Sequence, residues 1–297
     1  LVDLINYGAK KEFSIQYDDF FVCNNQKIEE NPQNRIVCFS GGKDSTAAAI
    51  IMKNEGYNVF LYYVQGINKS YPNEKEKALS IADYLGLPIY IEKVNQSGKT
   101  TFQDNPIKNQ LIASMALDFA AEKKLGTHIV FGDFYTDNIE NSSFLESWSD
   151  CIEMWEAHEK YVRNYVPTYK IHIPFKNYLE TMDIVSKDKT LLGLVQGCVL
   201  PHRFRENVKK RNEKKYDVQL LPNRCGSCWK CCTEYIHLAD NKVIQLNVGF
   251  YQHCLNVLNE KVKILHPQAI IKSTNDAYKA FLFDDIEKKS ILYNKSK

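Results

Sequence analysis

Residues 35–50 read R-I-V-C-F-S-G-G-K-D-S-T-A-A-A-I. The apolar run Ile36, Val37, Cys38, Phe39 suits a short buried strand, and the mixture of Ala, Ile and Met from Ser45 to Met52 suits a packed helix. Ser40 to Asp44 is then the turn between them. Gly41 and Gly42 open backbone conformations closed to other residues and let a ligand lie against the main chain. The helix that follows would aim free N–H groups and its positive dipole end at the same space, which favours an anion. An ordinary strand-to-helix turn also uses glycine, with Ser and Asp as helix caps. The hexapeptide S-G-G-K-D-S goes further, because it gathers two hydroxyls, an ammonium and a carboxylate in one loop. It is not the longer Walker loop that ends in Gly-Lys-Ser/Thr.

Outward from this stretch the chain alternates. Residues 57–64 read as a second strand, 74–85 as a helix, 89–94 as a third strand, 109–124 as a helix, 128–131 as a fourth strand and 171–174 as the start of a fifth. That alternation predicts a doubly wound parallel α/β sheet of Rossmann-like type, with ligands at the carboxyl ends of the strands. Four segments follow: an N-terminal β extension over 1–34, an α/β domain over 35–195, a cysteine-rich segment over 196–240 and a helical extension over 241–297. Residues 141–165 suit a helix whose Trp and Tyr stripe reads as core rather than as a substrate wall. Residues 203–215, R-F-R-E-N-V-K-K-R-N-E-K-K, form the basic cluster, and a solvated helix face or loop is its ordinary reading.

The chain has 297 residues, 44% hydrophobic and 25% charged, with formal net charge +2. No run approaches the roughly 18 apolar residues of a membrane span, and residues 1–11 lack the plan of a secretion signal, so cytoplasm is the expected compartment and no membrane partner is expected. Near-neutral charge gives no overall push towards nucleic acid. The nine cysteines include four within eight residues, in R-C-G-S-C-W-K-C-C. Cys225, Cys228 and Cys231 stand at C-x2-C-x2-C spacing, suited to wrapping one soft cation. Zinc in a structural site takes four ligands, and Cys198 is the best fourth candidate, with Cys232 and His237 in competition. An iron–sulfur cluster or a persulfide-carrying thiol is the rival to zinc.

S-G-G-K-D-S resembles the pyrophosphate loop of the N-type ATP pyrophosphatases, the PP-loop superfamily, which cleave ATP to AMP and pyrophosphate while adenylating a carbonyl or carboxyl oxygen. From about residue 35 to 235 the chain resembles their QueC-like branch, the 7-cyano-7-deazaguanine synthase-like enzymes. The resemblance is carried by C-G-S-C-W-K-C with an upstream cysteine, by P-I-K-N-Q-L-I-A-S-M-A at 106–116 with Asn109, Ser114 and Ala116 in place, by Gly132 and Asp137 in G-D-F-Y-T-D, and by I-P-F at 173–175. It implies a fold like that of the adenine nucleotide alpha hydrolases and zinc on Cys198, Cys225, Cys228 and Cys231. The departures are Lys108 where arginine is usual, N-S-S-F-L at 141–145 where the family has Tyr-Pro-Asp-Cys-Arg, and Thr181 where a lysine would stand, with Lys187 or Lys189 as substitutes. These departures and the terminal extensions suit a specialised paralogue of the kind found in antiphage defence clusters.

On that resemblance Ser40, Gly41, Gly42 and Ser45, with Thr46, would hold the β- and γ-phosphates of ATP. Lys43 and Lys108 would neutralise phosphate charge, Asp44 would cap the helix and orient the loop, and Asp133 or Asp137 would hold Mg2+. The backbone around Tyr63 to Gln65 would meet adenine, and Asn109 and Gly132 would line the site. The substrate implied is a 7-carboxy-7-deazaguanine-like carboxylate, attacked after adenylation by ammonia or another amine, a partner protein included. Homodimers or a defence-complex subunit are the expected assemblies. The other readings are a tRNA thiolase of the same superfamily and a catalytically silent nucleotide-binding subunit.

Overall fold

β1 (Asn34–Cys38) is buried at every residue, as an apolar strand flanked on both sides by parallel neighbours must be. The computed structural model describes residues 28–66, 73–94, 108–133, 152–175, 178–198, 200 and 202–265, without the side chains of 152–154, 202–203 and 261–265. Residues 1–27 of the expected β extension, Asp137, the 141–145 segment and the part of the expected helical extension beyond residue 265 lie outside the described residues.

β1 is followed by α1 (Lys43–Asn54), β2 (Asn58–Gln65), α2 (Glu74–Leu85), β3 (Ile89–Lys93), α3 (Lys108–Glu122), β4 (His128–Phe131), α4 (Ile152–Val162) and β5 (Lys170–His172). The five strands pair in the order β3-β2-β1-β4-β5, all parallel. The chain thus winds outward from β1 through β2 to β3, then returns to the far side of β1 for β4 and β5. The space at the carboxyl ends of β1 and β4 is the point where the winding reverses, which in open α/β sheets is where ligands bind. The parallel doubly wound fold is the one the alternating pattern predicts.

Alternate residues of the strands feed two faces. Ile36, Cys38, Tyr62, Val64 and Ile129 share a core with Ala113, Ala116 and Ala120 of α3 and Trp155 and Val162 of α4. The small alanines let α3 lie close to the sheet; of the expected aromatic stripe Trp155 is core, while Tyr161 is half-buried and Tyr165 is 56% exposed. Val37, Leu61 and Val130, one residue out of phase, are equally buried.

Two compact units divide the chain. The first carries the sheet with the rest of α1 and α2 to α4; the second carries Gly41–Lys43 and the chain from residue 177. Within the second lie α5 (Tyr178–Val185), α6 (Lys189–Leu194), α7 (His202–Tyr216), α8 (Trp229–Asp240) and α9 (Val248–Leu265). Asp188 caps α6, its Oδ1 accepting from Thr190 N at 2.8 Å and Leu191 N at 3.1 Å. α8 and α9 pack through Tyr235 and Phe250, edge to face at 5.3 Å. Arg224 and Glu234, both fully buried, pair at 2.5 Å, and Arg224 Nη1 also donates to Leu192 O at 3.0 Å. No helix among the described residues is long and apolar enough to cross a membrane.

Candidate functional site

The hexapeptide begins where β1 ends, at the reversal point of the sheet. Gly41 has φ 71°, a left-handed conformation that side chains disfavour, so the glycine answers a backbone demand. Its carbonyl accepts from Gln196 N at 3.4 Å. Ser40 N donates to Ser45 Oγ at 3.2 Å, and the two hydroxyl oxygens stand 3.3 Å apart, so the loop closes with its two hydroxyls together. Ser40 is exposed, Ser45 buried, and Thr46 wholly buried. The helix starts at Lys43, earlier than the sequence suggested. Asp44 therefore sits within its first turn and is not the residue before it, where a capping side chain would stand.

Gly132, just past β4, explains how the loop is held. A Cβ there would lie 2.6 Å from the carbonyl carbon and oxygen of Asp44 and 2.6 Å from Ser45 Cα. Only glycine lets β4 end this close to the start of α1. The next residue, Asp133, is buried, and its Oδ2 accepts from the Trp155 indole N–H at 3.2 Å. That contact is invisible in the sequence, where Trp155 is one aromatic in a stripe.

Lys43 is also buried, and its ammonium donates to Thr181 Oγ1 on α5 at 2.8 Å. The structure thus joins the loop lysine to the very position where a lysine was expected and threonine stands. Lys187 and Lys189 are exposed. Lys108 and Asn109 open α3, both half-buried. At the adenine end, β1 pairs with β2 only as far as Cys38 with Tyr62, extended by Phe39 N to Tyr62 O at 2.8 Å. Tyr63, Val64 and Gln65 run on, paired with β3 alone among described strands. Their other backbone edge thus lies past the end of β1, and Tyr63 OH reaches Glu74 Oε2 at 3.4 Å. Ser114, on α3, donates to Gln110 O at 3.0 Å and meets His158 Nε2 at 2.9 Å. The contact with His158 ties α3 to α4.

The cysteine cluster is built in the second unit. The sulfurs of Cys198, Cys225, Cys228 and Cys231 all lie within 4.8 Å of one another. Cys198 to Cys228 is 3.9 Å and Cys225 to Cys231 is 3.8 Å. Zinc–sulfur bonds of about 2.3 Å in a tetrahedron require edges of about 3.8 Å, so the four residues fit the ion. Gly226, at φ 69°, turns the chain between the first two cysteines of the C-x2-C-x2-C run. Ser227 N and Cys228 N then donate to Cys225 Sγ at 3.3 and 3.2 Å, Leu200 N to Cys198 Sγ at 3.4 Å and Cys231 N to Cys228 Sγ at 3.5 Å. Hydrogen bonds from the Cys198, Cys228 and Cys231 sulfurs hold the Cys225 thiol far below its usual range, while burial pushes Cys231 up. Four thiols this close together can take one cation as thiolates.

The rival ligands are placed elsewhere. Cys232 is hydrogen-bonded with Cys254. His237 Nε2 bonds Asp183 Oδ1 at 2.6 Å. Sequence reasoning missed Asn212, whose Nδ2 donates to Cys225 O at 2.9 Å and Ser227 Oγ at 2.7 Å and so ties α7 to the knuckle.

No protein-family model matches the chain. Over 137 residues it is 26% identical to the tRNA-specific 2-thiouridylase MnmA of Coxiella burnetii strain Dugway 5J108-111, covering 38% of this chain and 37% of that protein; strain RSA 493 gives the same figures. The chain spans 37% of the length of these curated relatives. This is distant homology to the superfamily whose loop the hexapeptide resembles. Among solved structures, NMN synthetase from Francisella tularensis shares 13% identity over 91% of this chain and 96% of its own, with TM-score 0.34. A predicted subunit of tRNA methyltransferase from Methanocaldococcus jannaschii shares 19% over 51% and 73%, with TM-score 0.31.

Proposed function

We propose that the chain is an ATP-dependent adenylating enzyme of the PP-loop superfamily, acting on a 7-carboxy-7-deazaguanine-like carboxylate. The observation that supports this best is the S-G-G-K-D-S loop at the reversal point of a parallel sheet, with Gly41 left-handed and both serine hydroxyls turned together. Backbone N–H groups of Gly41 and Gly42 and the hydroxyls of Ser40 and Ser45 hold the β- and γ-phosphates, next to the positive end of α1. Lys43 and Lys108 balance their charge. The Mg2+ that accompanies ATP takes oxygen ligands, and Asp133 or Asp137 would supply a carboxylate for it. Adenine lies on the backbone of residues 63–65.

The acid's carboxylate oxygen attacks the α-phosphorus, and the bond to the β-phosphate oxygen breaks in line, releasing pyrophosphate and leaving an acyl adenylate. An amine then attacks the acyl carbon and AMP departs. Ammonia gives the amide, and a second activation gives the nitrile; an amine of a partner protein or small molecule gives a conjugate instead. The 141–145 segment, where the sequence departs from the family, is where that choice is made. The four cysteines hold a structural zinc, since four protein ligands leave no open position. The protein works in the cytoplasm as a homodimer or as a subunit of an antiphage complex.

ATP/pyrophosphate exchange, with and without 7-carboxy-7-deazaguanine, tests the reading. Acid-dependent exchange is expected, and absence of both exchange and AMP would sink it. Asp44→Ala and Ser45→Ala abolish exchange if the loop assignment is right. The likeness to a 2-thiouridylase favours a second reading, sulfur transfer to tRNA, and metal analysis separates the two. One colourless zinc per chain supports adenylation with a closed site, whereas iron with sulfide supports thiolation.

A further inference from the structure

The basic cluster forms α7, and the helix sorts its charges by face. Arg205 and Asn212 are buried, Val208, Lys209 and Tyr216 half-buried, and Lys209 is paired with Glu213 at 2.9 Å. Glu206 lies beside Arg205, 3.5 Å from its Nε. The exposed residues are Phe204, Asn207, Lys210, Arg211, Lys214 and Lys215. At 100° per residue these six fall on one arc of the helix, about 17 Å long at 1.5 Å per residue, and no acid is among them. An ordinary solvated helix mixes signs at i, i+4 spacing. Here residues 203–215 hold seven basic and two acidic side chains, while the whole chain nets only +2. Positive charge is concentrated on this helix, and Phe204, 49% exposed, stands at one end of it.

The helix also lies between the parts of the chain that supply the four cysteines. It starts four residues after Cys198, and the chain returns to Cys225 nine residues after it ends. Asn212 fastens its middle to Cys225 O and Ser227 Oγ. The helix therefore presents a predominantly basic surface with an aromatic at one end and Glu206, its side chain 41% exposed, at the border. Phosphates spaced along a flexible strand match the row of cations, and an unpaired base can stack on an exposed ring.

We propose that this outer face of α7 is a docking surface for single-stranded RNA. The inference stands on α7 alone and is independent of the ATP-loop reading. Its test is fluorescence anisotropy of a labelled 20-nucleotide single-stranded RNA, titrated with the zinc-loaded full chain from 50 to 300 mM KCl. Lys210, Arg211, Lys214 and Lys215 changed together to Gln weaken binding at least tenfold at 100 mM. They also make the slope of log K against log salt shallower by about 3, at about 0.7 per phosphate contact. Phe204→Ala weakens binding about fivefold or more with the slope unchanged. Zinc content, circular dichroism and ATP-dependent AMP formation stay as in the wild type. As a control, Lys93, Lys123, Lys124 and Lys170, exposed on the first unit, are changed together to Gln and leave the slope unaltered. The proposal is overturned if the two quadruple variants lose the same affinity, or if neither loses any. Tighter binding to anionic phospholipid vesicles than to the RNA at the same salt would also overturn it, in favour of a membrane surface.

Discussion

At the scale of single residues, one close approach limits what the molecule tolerates. Gly132→Ala would push a methyl group into the backbone of Asp44 and Ser45, with no flexible side chain to yield. We expect a loss of about 1–3 kcal/mol in stability together with lost ATP binding, read by chemical denaturation and by titration with a fluorescent ATP analogue. Two of the buried arginines, Arg224 and Arg205, should behave oppositely. Arg224→Met strips Glu234 of its guanidinium and should cost about 3–5 kcal/mol. Arg205 is 1% exposed; its Nε and Nη1 make no hydrogen bond among the described residues, and the Glu206 carboxylate 3.5 Å from Nε belongs to a side chain 41% exposed, which water can solvate once the guanidinium is gone. Arg205→Met should be close to neutral or stabilising in the same urea titration. Protonation adds a pH signature. Burial holds the His158 and His172 imidazoles down at about 4, against about 6.5 in the unfolded chain. The unfolded chain then binds more protons between these values, so stability is full above about pH 6.5 and falls as pH drops towards 4. His158→Gln should flatten that fall in Tm, whatever it does to the Tm at pH 7.

At the scale of elements, the telling contact is the one from α7 to the knuckle. Asn212→Leu keeps the helix buried but removes two hydrogen bonds from the turn that carries Cys225. Metal affinity should fall about ten- to a hundredfold, measured by competition with a chromophoric chelator. The elements themselves were largely legible. Periodicity and β-branched runs located α2 and β4 at their observed bounds and the other strands to within two residues, because those patterns are dictated by burial in a parallel sheet. α6 was missed although Asp188 is a plain capping signal, since six residues show too little periodicity. Cys225, Cys228 and Cys231 were legible from spacing, whereas Cys198 was one of three candidates for the fourth place until the fold brought it to the other three. Gly132 against Asp44, Trp155 on Asp133 and Lys43 on Thr181 were not, because each joins residues far apart in sequence and depends on how elements pack.

At the scale of the whole molecule, the two compact units divide the labour of stability. Hydrophobic burial in the sheet serves the first, while the second adds a metal-ligand cluster to its helices. Removing the metal with a strong chelator should therefore strip hydrogen-exchange protection from α7 and the start of α8 and leave that of β1, β2 and β4 in place. Equal loss across the sheet would contradict this division. The knuckle has a further consequence through chain entropy. By drawing Cys198 and Cys225 together, a bound ion closes the intervening chain much as a cross-link does, removing about 3–4 kcal/mol of freedom from the unfolded state on the loop-closure scale. That term grows only logarithmically, so doubling the enclosed length costs about 0.6 kcal/mol more. The enclosed segment is a cassette, one whose helix can be lengthened, recharged or exchanged while the clasp that bounds it stays the same.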